Sequence, residues 1–150
     1  MITWSTPTFA ELTTTELYEL LKLRVDVFVV EQTCPYPELD GKDTQPGVRH
    51  LLGYEGGQLV ACARLLPAGT TYDNVSIGRI ATKAEARGAG LGHKLLTEAI
   101  KHSRELWPNS IIDIGAQQHL EAFYQSHGFV TISEMYLEDD IPHIDMRLQG

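Results

Sequence analysis

Only two cysteines occur in 150 residues, Cys34 in a proline-rich stretch and Cys62 in an apolar run, which is no disulfide framework and fits a reducing compartment. No apolar run approaches the roughly 18 residues of a membrane span. Met1 to Ala10 lack the basic flank and apolar stretch of a signal peptide, so a cytoplasmic location is expected. The six histidines show neither H-E-x-x-H nor Cys/His ligand spacing, and no metal is expected. Basic residues are in deficit: 12 Lys and Arg against 20 Asp and Glu give a formal net charge of −8. Phosphate backbones need a basic face, so nucleic acid is not expected as a partner, and the excess acid reads as a solubility feature. No repeat, low-complexity tract or linker divides the chain, and a hydrophobic content of 43% suits one soluble domain over residues 1–150.

Glycine is plentiful by contrast, and the segment Arg87-Gly88-Ala89-Gly90-Leu91-Gly92 concentrates it beside a guanidinium. A helix start leaves backbone N–H groups unpaired and carries the positive end of the macrodipole, so it attracts anions, phosphates above all. Charge-assisted N–H bonds, at roughly 1.5 to 3 kcal/mol each, outweigh the dipole alone at about 0.3 to 1 kcal/mol. A plain turn is the competing reading, and the flanks weigh against it. Val75 to Ala81 reads as a short buried strand. From Leu91 to Trp107, Leu91, Leu95, Leu96, Ala99, Ile100 and Ser103 recur at helical spacing until Pro108 and Asn109. Ile111 to Ala116 reads as a second strand, which puts the glycines at the strand-to-helix corner of a βαβ unit.

Upstream, Thr13-x-x-Glu16 has the capping-box pattern and Leu17, Leu20, Leu21, Arg24 and Phe28 follow at helical spacing, with Arg24 on the apolar stripe where a charge is usually partnered or site-facing. Glu31 to Gly47 reads as a long irregular loop carrying Glu31, Glu38, Asp40 and Asp43, and a loop of that length is more often functional than idle. Arg49 to Tyr54 and Gln58 to Leu66 read as a hairpin around Glu55-Gly56-Gly57. Leu120, Phe123, Tyr124 and His127 line one face of a short helix closed by Gly128. Phe129 to Leu137 and His143 to Leu148 read as strands joined by an acidic link containing Pro142, and edge strands there would allow a homodimer. The expected class is mixed α/β, with antiparallel strands giving way to a parallel pair near residue 80.

Three phosphate loops compete for the glycines. A P-loop fails because Lys94 is followed by Leu95, with no hydroxyl for magnesium. A dinucleotide fingerprint is strained by the spacer Thr82 to Arg87, although Asp113 lies about where a ribose-binding acid belongs, which keeps a nicotinamide-dependent oxidoreductase as an alternative. The third pattern, [QR]-x-x-G-x-[GA], is met as Arg87-x-x-Gly90-x-Gly92. With Ala116-Gln117 ending a strand and Leu120-Glu-Ala-Phe-Tyr124-Gln-Ser-His-Gly128-Phe129 beyond it, the chain resembles the GCN5-related N-acetyltransferase superfamily. Leu23-Arg24-x-x-Val27-Phe28-Val29-x-Glu31-Gln32 with Cys34-Pro35-Tyr36, and later Ile141-Pro142-His143, resemble its ElaA branch.

The resemblance implies an acetyl-CoA-dependent N-acyltransferase that acts by direct transfer in a ternary complex on a small amine acceptor. It implies that the N–H groups of Arg87, Gly88, Ala89, Gly90, Leu91 and Gly92 hold the diphosphate, with His93 or Lys94 at its edge. Backbone groups of Ile80, Ala81 and Thr82 would pair with the pantetheine arm and polarise the thioester carbonyl, and Gln117 would bond the pantetheine amides. Tyr124 is implied as the general acid for the leaving thiolate, against a competing reading as a core aromatic. An amine of pKa about 10.4 must lose a proton before it attacks. Relatives place a glutamate on the strand before the phosphate loop, and here that strand reads Ser76-Ile77-Gly78-Arg79-Ile80. Glu31 is the first substitute, with Asp40 and His50 behind it, unless Glu31 merely pairs with Arg64 or Arg79. Arg24, Arg64 and Arg79 are candidates to bind a carboxylate on the acceptor. The missing strand acid also leaves open a CoA-binding module without catalysis.

Overall fold

The Glu16 amide donates to the Thr13 hydroxyl at 3.0 Å and the Thr13 amide donates to the Glu16 carboxylate at 2.9 Å, and this capping box starts helix α1 (Thr14–Val25) where the sequence places it. In this computed structural model, which describes residues 1–150, the backbone bonds past Val25 lengthen from four residues to five. Gln32 N donates to Val27 O at 3.2 Å and Cys34 N to Val29 O at 3.1 Å, so Asp26–Glu31 is a π-helical turn. The apolar spacing through Phe28 carries no trace of that change of pitch, which delivers Glu31 and Gln32 to the edge of a cleft.

One sheet gathers β1 (Thr3–Ser5), β2 (Arg49–Glu55), β3 (Gln58–Leu66), β4 (Val75–Thr82), β5 (Ile112–Gln117), β6 (Val130–Thr131), β7 (Tyr136–Glu138) and β8 (Ile141–Leu148). Its order is β1-β2-β3-β4-β5-β8-β6, with β7 also pairing β8. Every ladder is antiparallel except β4 with β5, the switch expected from the sequence. Between those two runs α2 (Leu91–Leu106), and α3 (Glu121–Gln125) follows β5.

Both faces of the sheet are covered. Leu51, Ala63, Leu65, Ile112 and Ile114 pack with Leu91, Leu95, Leu96 and Ala99 of α2. On the other face Leu52, Cys62 and Ala81 pack with Leu20, Leu23 and Val27. Neighbours Leu51 and Leu52 therefore serve opposite cores, and burial on two sides explains why β3 reads as an almost unbroken apolar run.

The C-terminal region differs from expectation. Phe129 to Leu137 is not one strand: β6 and β7 pair with separate stretches of β8, at Val130↔Arg147 and Tyr136↔His143. Pro142 lies within β8 opposite Leu137, and the acidic link shrinks to Asp139 and Asp140, both left-handed at φ 51° and 61°. Two left-handed residues close a tight hairpin whose twist matches the strands, so no longer link is needed. β1 was not foreseen, since three residues are too few for a period. No helix is long and apolar enough to cross a membrane.

Candidate active site

β4 and β5 share only the ladder pairs Val75↔Ile112 and Ser76↔Asp113, although β4 continues to Thr82 and β5 to Gln117. β4 is bent by a bulge: between the pairs Arg64↔Gly78 and Cys62↔Ala81 one residue of β3 faces Arg79 and Ile80, and Arg79 is left-handed at φ 49°. Beyond Ser76 the two strands part. The gap is a cleft of about 600 Å³, lined by Ile77 to Thr82 on one side and Ile114, Gly115 and Gln117 on the other.

Past Arg87, which lines the cleft, the backbone N–H groups of Gly88 through His93 bond to no group of the protein. Gly88 at φ 106° and Gly90 at φ 74°, the residue capping α2, hold a conformation that side chains disfavour. Arg87 is committed elsewhere. It donates to both oxygens of Glu31 at 2.5 and 2.9 Å, to the Thr82 hydroxyl at 3.0 Å and to the Thr82 carbonyl at 2.8 Å. The guanidinium thus ties the loop to β4 and to the π-helical turn, and its hydrogen bond holds the Glu31 carboxyl below the usual range. Glu31 pairs with neither Arg64 nor Arg79. His93 stacks near Phe123 and His127, its Nδ1 2.9 Å from Nε2 of His127, while Lys94 is exposed. Gln117 donates to Gln32 at 3.2 Å.

Tyr124 of α3 combines both sequence readings. Its ring packs edge-on against Phe123 and Phe129 within the core, yet the residue lines the cleft. Burial alone pushes its phenol up to about 12, and the hydroxyl makes no hydrogen bond within the protein.

The opposite wall is a charge network. Arg24 donates to Glu38 at 2.6 Å and Asp43 at 2.7 Å; Arg64 donates to Asp40 at 2.8 and 2.9 Å and to Asp43 at 3.1 Å; Arg79 donates to Glu38 at 2.9 Å. Burial raises the Asp40 carboxyl, but the Arg64 hydrogen bonds, the Lys42 amide and the charges of Arg64 and Arg79 outweigh it and hold it well below the ordinary range. Asp43 is lowered too, with burial overcome by Arg24 and Arg64. Arg24 and His50, each 1% exposed, sit behind this wall rather than on it, and His50 Nε2 lies 3.1 Å from the Asp43 carbonyl oxygen. The partnering of Arg24 was legible from its place on an apolar stripe. Glu38 and Asp43 were not singled out, and their signal was only the acid count of the loop. Asp40, Arg64 and Arg79 do line the cleft, as do Glu138, which the sequence did not single out, and His143, which entered only through the Ile141-Pro142-His143 resemblance.

Comparison with known proteins agrees with this geometry. The acetyltransferase (GNAT) domain family matches residues 21–149. Protein ElaA of Escherichia coli is 43% identical over 146 residues, covering 97% of this chain and 95% of the relative, and its crystal structure superposes with a TM-score of 0.93. The crystal structure of an acyl-CoA N-acyltransferase from Pseudomonas aeruginosa is 47% identical over 99% of both chains, with a TM-score of 0.94. An aminoglycoside 6'-N-acetyltransferase complexed with coenzyme A, 14% identical with a TM-score of 0.73, shares the fold over 98% of this chain and 96% of its own. With a strand pair that parts, a run of unpaired amides opening α2, and this similarity to those proteins, the chain belongs to the GNAT acyltransferase family, in its ElaA-like branch.

Proposed function

We propose that the chain is a single-domain acetyl-CoA-dependent N-acetyltransferase that passes the acetyl group directly to a small primary amine. The observation that carries this reading is the set of unpaired amides from Gly88 to His93, which follow the cleft-lining Arg87 in the chain. Those amides suit a diphosphate, and the free edge of Ile80, Ala81 and Thr82 suits the amides of a pantetheine arm, with Gln117 facing it. A backbone N–H of the β4 bulge would polarise the thioester carbonyl. Tyr124 stays protonated at any working pH, so its phenol serves as a proton donor to the departing thiolate. Asp40, Arg64 and Arg79 would shape the acceptor end, and Arg24 and His50 would support that wall from behind. Glu31 suits the positioning of Arg87 better than proton abstraction, because Arg87 stabilises its charged form.

The test is thermal unfolding with acetyl-CoA, longer acyl-CoAs, NAD and NADP, followed by thiol release from acetyl-CoA with a panel of primary amines. Ligand at 100 times its Kd stabilises by about 2.7 kcal/mol. Stabilisation by acetyl-CoA with amine-dependent thiol release supports the reading. Response to NAD alone would favour an oxidoreductase, and binding without release with any amine would leave a CoA-binding module.

A further inference from the structure

We propose that His143 is the general base of this site and that Glu138 leads its proton to solvent, an assignment that rests on the acetyltransferase reading above. The ammonium form of an amine must lose a proton before its nitrogen attacks, and Glu31 and Asp40 are poorly suited to take it. Glu31 is held ionised by Arg87, and Asp40 by Arg64 and Arg79. His119 lines the cleft but is exposed and makes no hydrogen bond, so nothing fixes its ring.

His143 differs on each point. It lines the cleft while only 8% exposed, and it stands opposite Gln117 in the β5–β8 ladder, beside the gap. Its Nδ1 lies 2.8 Å from the Ile141 carbonyl oxygen. A carbonyl only accepts, so Nδ1 carries the hydrogen and Nε2 of the neutral ring holds the free lone pair. Nε2 lies 3.5 Å from Glu138, whose side chain is 62% exposed at the rim. The left-handed Asp139–Asp140 turn sets this pair, because it registers Tyr136 with His143 and Glu138 with Ile141 and leaves Glu138 diagonal to the ring. The groups facing the imidazole are Glu138 and Tyr136 of β7, the latter stacked at 6.0 Å, and the neutral Gln117 of β5.

In the first step Nε2 takes one proton from the ammonium nitrogen, an N–H bond breaks, and that proton leaves by way of Glu138 to water. The neutral nitrogen then forms a bond to the thioester carbon and gives its second proton to the emptied Nε2, while the C–S bond breaks with its electron pair on sulfur, which takes the phenolic proton of Tyr124. The proton on Nε2 passes by way of Glu138 to water, and water returns one to Tyr124.

Two measurements test this. In the first, rate against pH is measured for wild type, His143→Asn and Glu138→Gln with acetyl-CoA and an amine that the wild type accepts, and acetyl-CoA binding is followed by thermal shift. His143→Asn should keep the acetyl-CoA shift, lose roughly 10²-fold or more in rate near pH 7 and lose the wild-type acid limb; added imidazole should partly restore His143→Gly. Glu138→Gln should slow turnover less than His143→Asn does, because it removes the proton's way out and leaves the base in place. An unchanged rate and limb in His143→Asn would overturn the assignment while leaving the acetyltransferase reading intact, whereas a wild type inactive with every amine overturns both. Nitrogen-15 NMR of the imidazole ring gives a readout without turnover: a hydrogen on Nδ1 with Nε2 bare at pH 8 is expected, and the opposite tautomer refutes the proposal.

Discussion

Tyr124 is proposed as the proton donor because its hydroxyl makes no hydrogen bond within the protein, on a ring otherwise gripped by Phe123 and Phe129. Tyr124→Phe preserves that packing, so melting should change little while turnover falls roughly 10²- to 10⁴-fold and acetyl-CoA affinity holds. Arg24 is the opposite case, a charge without water, and Arg24→Met strands Glu38 and Asp43 without their shared guanidinium. Denaturant titration should register a loss of about 3 to 5 kcal/mol. The pH dependence follows from the same cluster. Asp40 and Asp43 have folded pKa values below their unfolded ones, so the stability they contribute is present above about pH 4 and is lost as pH falls toward the folded values. His50 is lowered by burial, so its contribution begins to fall below about pH 6.5. Melting temperature followed from pH 7 to pH 3 should fall throughout, and Asp40→Asn should start lower and flatten the acid portion.

At the scale of elements, the glycine turn and the two strands beside it make the proposed site, and their place in the fold was largely legible. The helical repeat from Leu91 and the apolar strands on either side fixed the corner, because side-chain periods report on faces. What stayed hidden was backbone: the π-helical turn at Asp26–Glu31, the bulge at Arg79 and the left-handed pair Asp139–Asp140 all change where side chains point without altering the pattern of apolar residues. That is why Glu31 reached Arg87 rather than Arg64 or Arg79, and why Pro142 entered a strand. The expected outcome at Gly90 is specific. Gly90→Ala places a Cβ on a left-handed residue, at about 1 to 2 kcal/mol, and it disturbs the amide ring, so acetyl-CoA affinity measured by calorimetry should drop more than tenfold.

For the molecule as a whole, hydrogen exchange gives the most direct check of the open amides. Gly88 to His93 have no internal partner and should exchange quickly in the free protein, whereas Leu51, Leu52 and Leu65, on strands buried on both faces, should exchange slowly. Acetyl-CoA should slow Gly88 to His93 together with Ile80 to Thr82, and no slowing at either segment would contradict the proposed binding mode.

The two shared pairs between β4 and β5 also have a mechanical meaning. Residues 1–82 and 112–148 each build an antiparallel half of the sheet, and the halves meet along a seam only two rungs long, bridged above by α2. A pantetheine arm laid in the gap would lengthen that seam with its own amides, so the donor would act as a missing strand and stiffen the domain until the spent coenzyme departs.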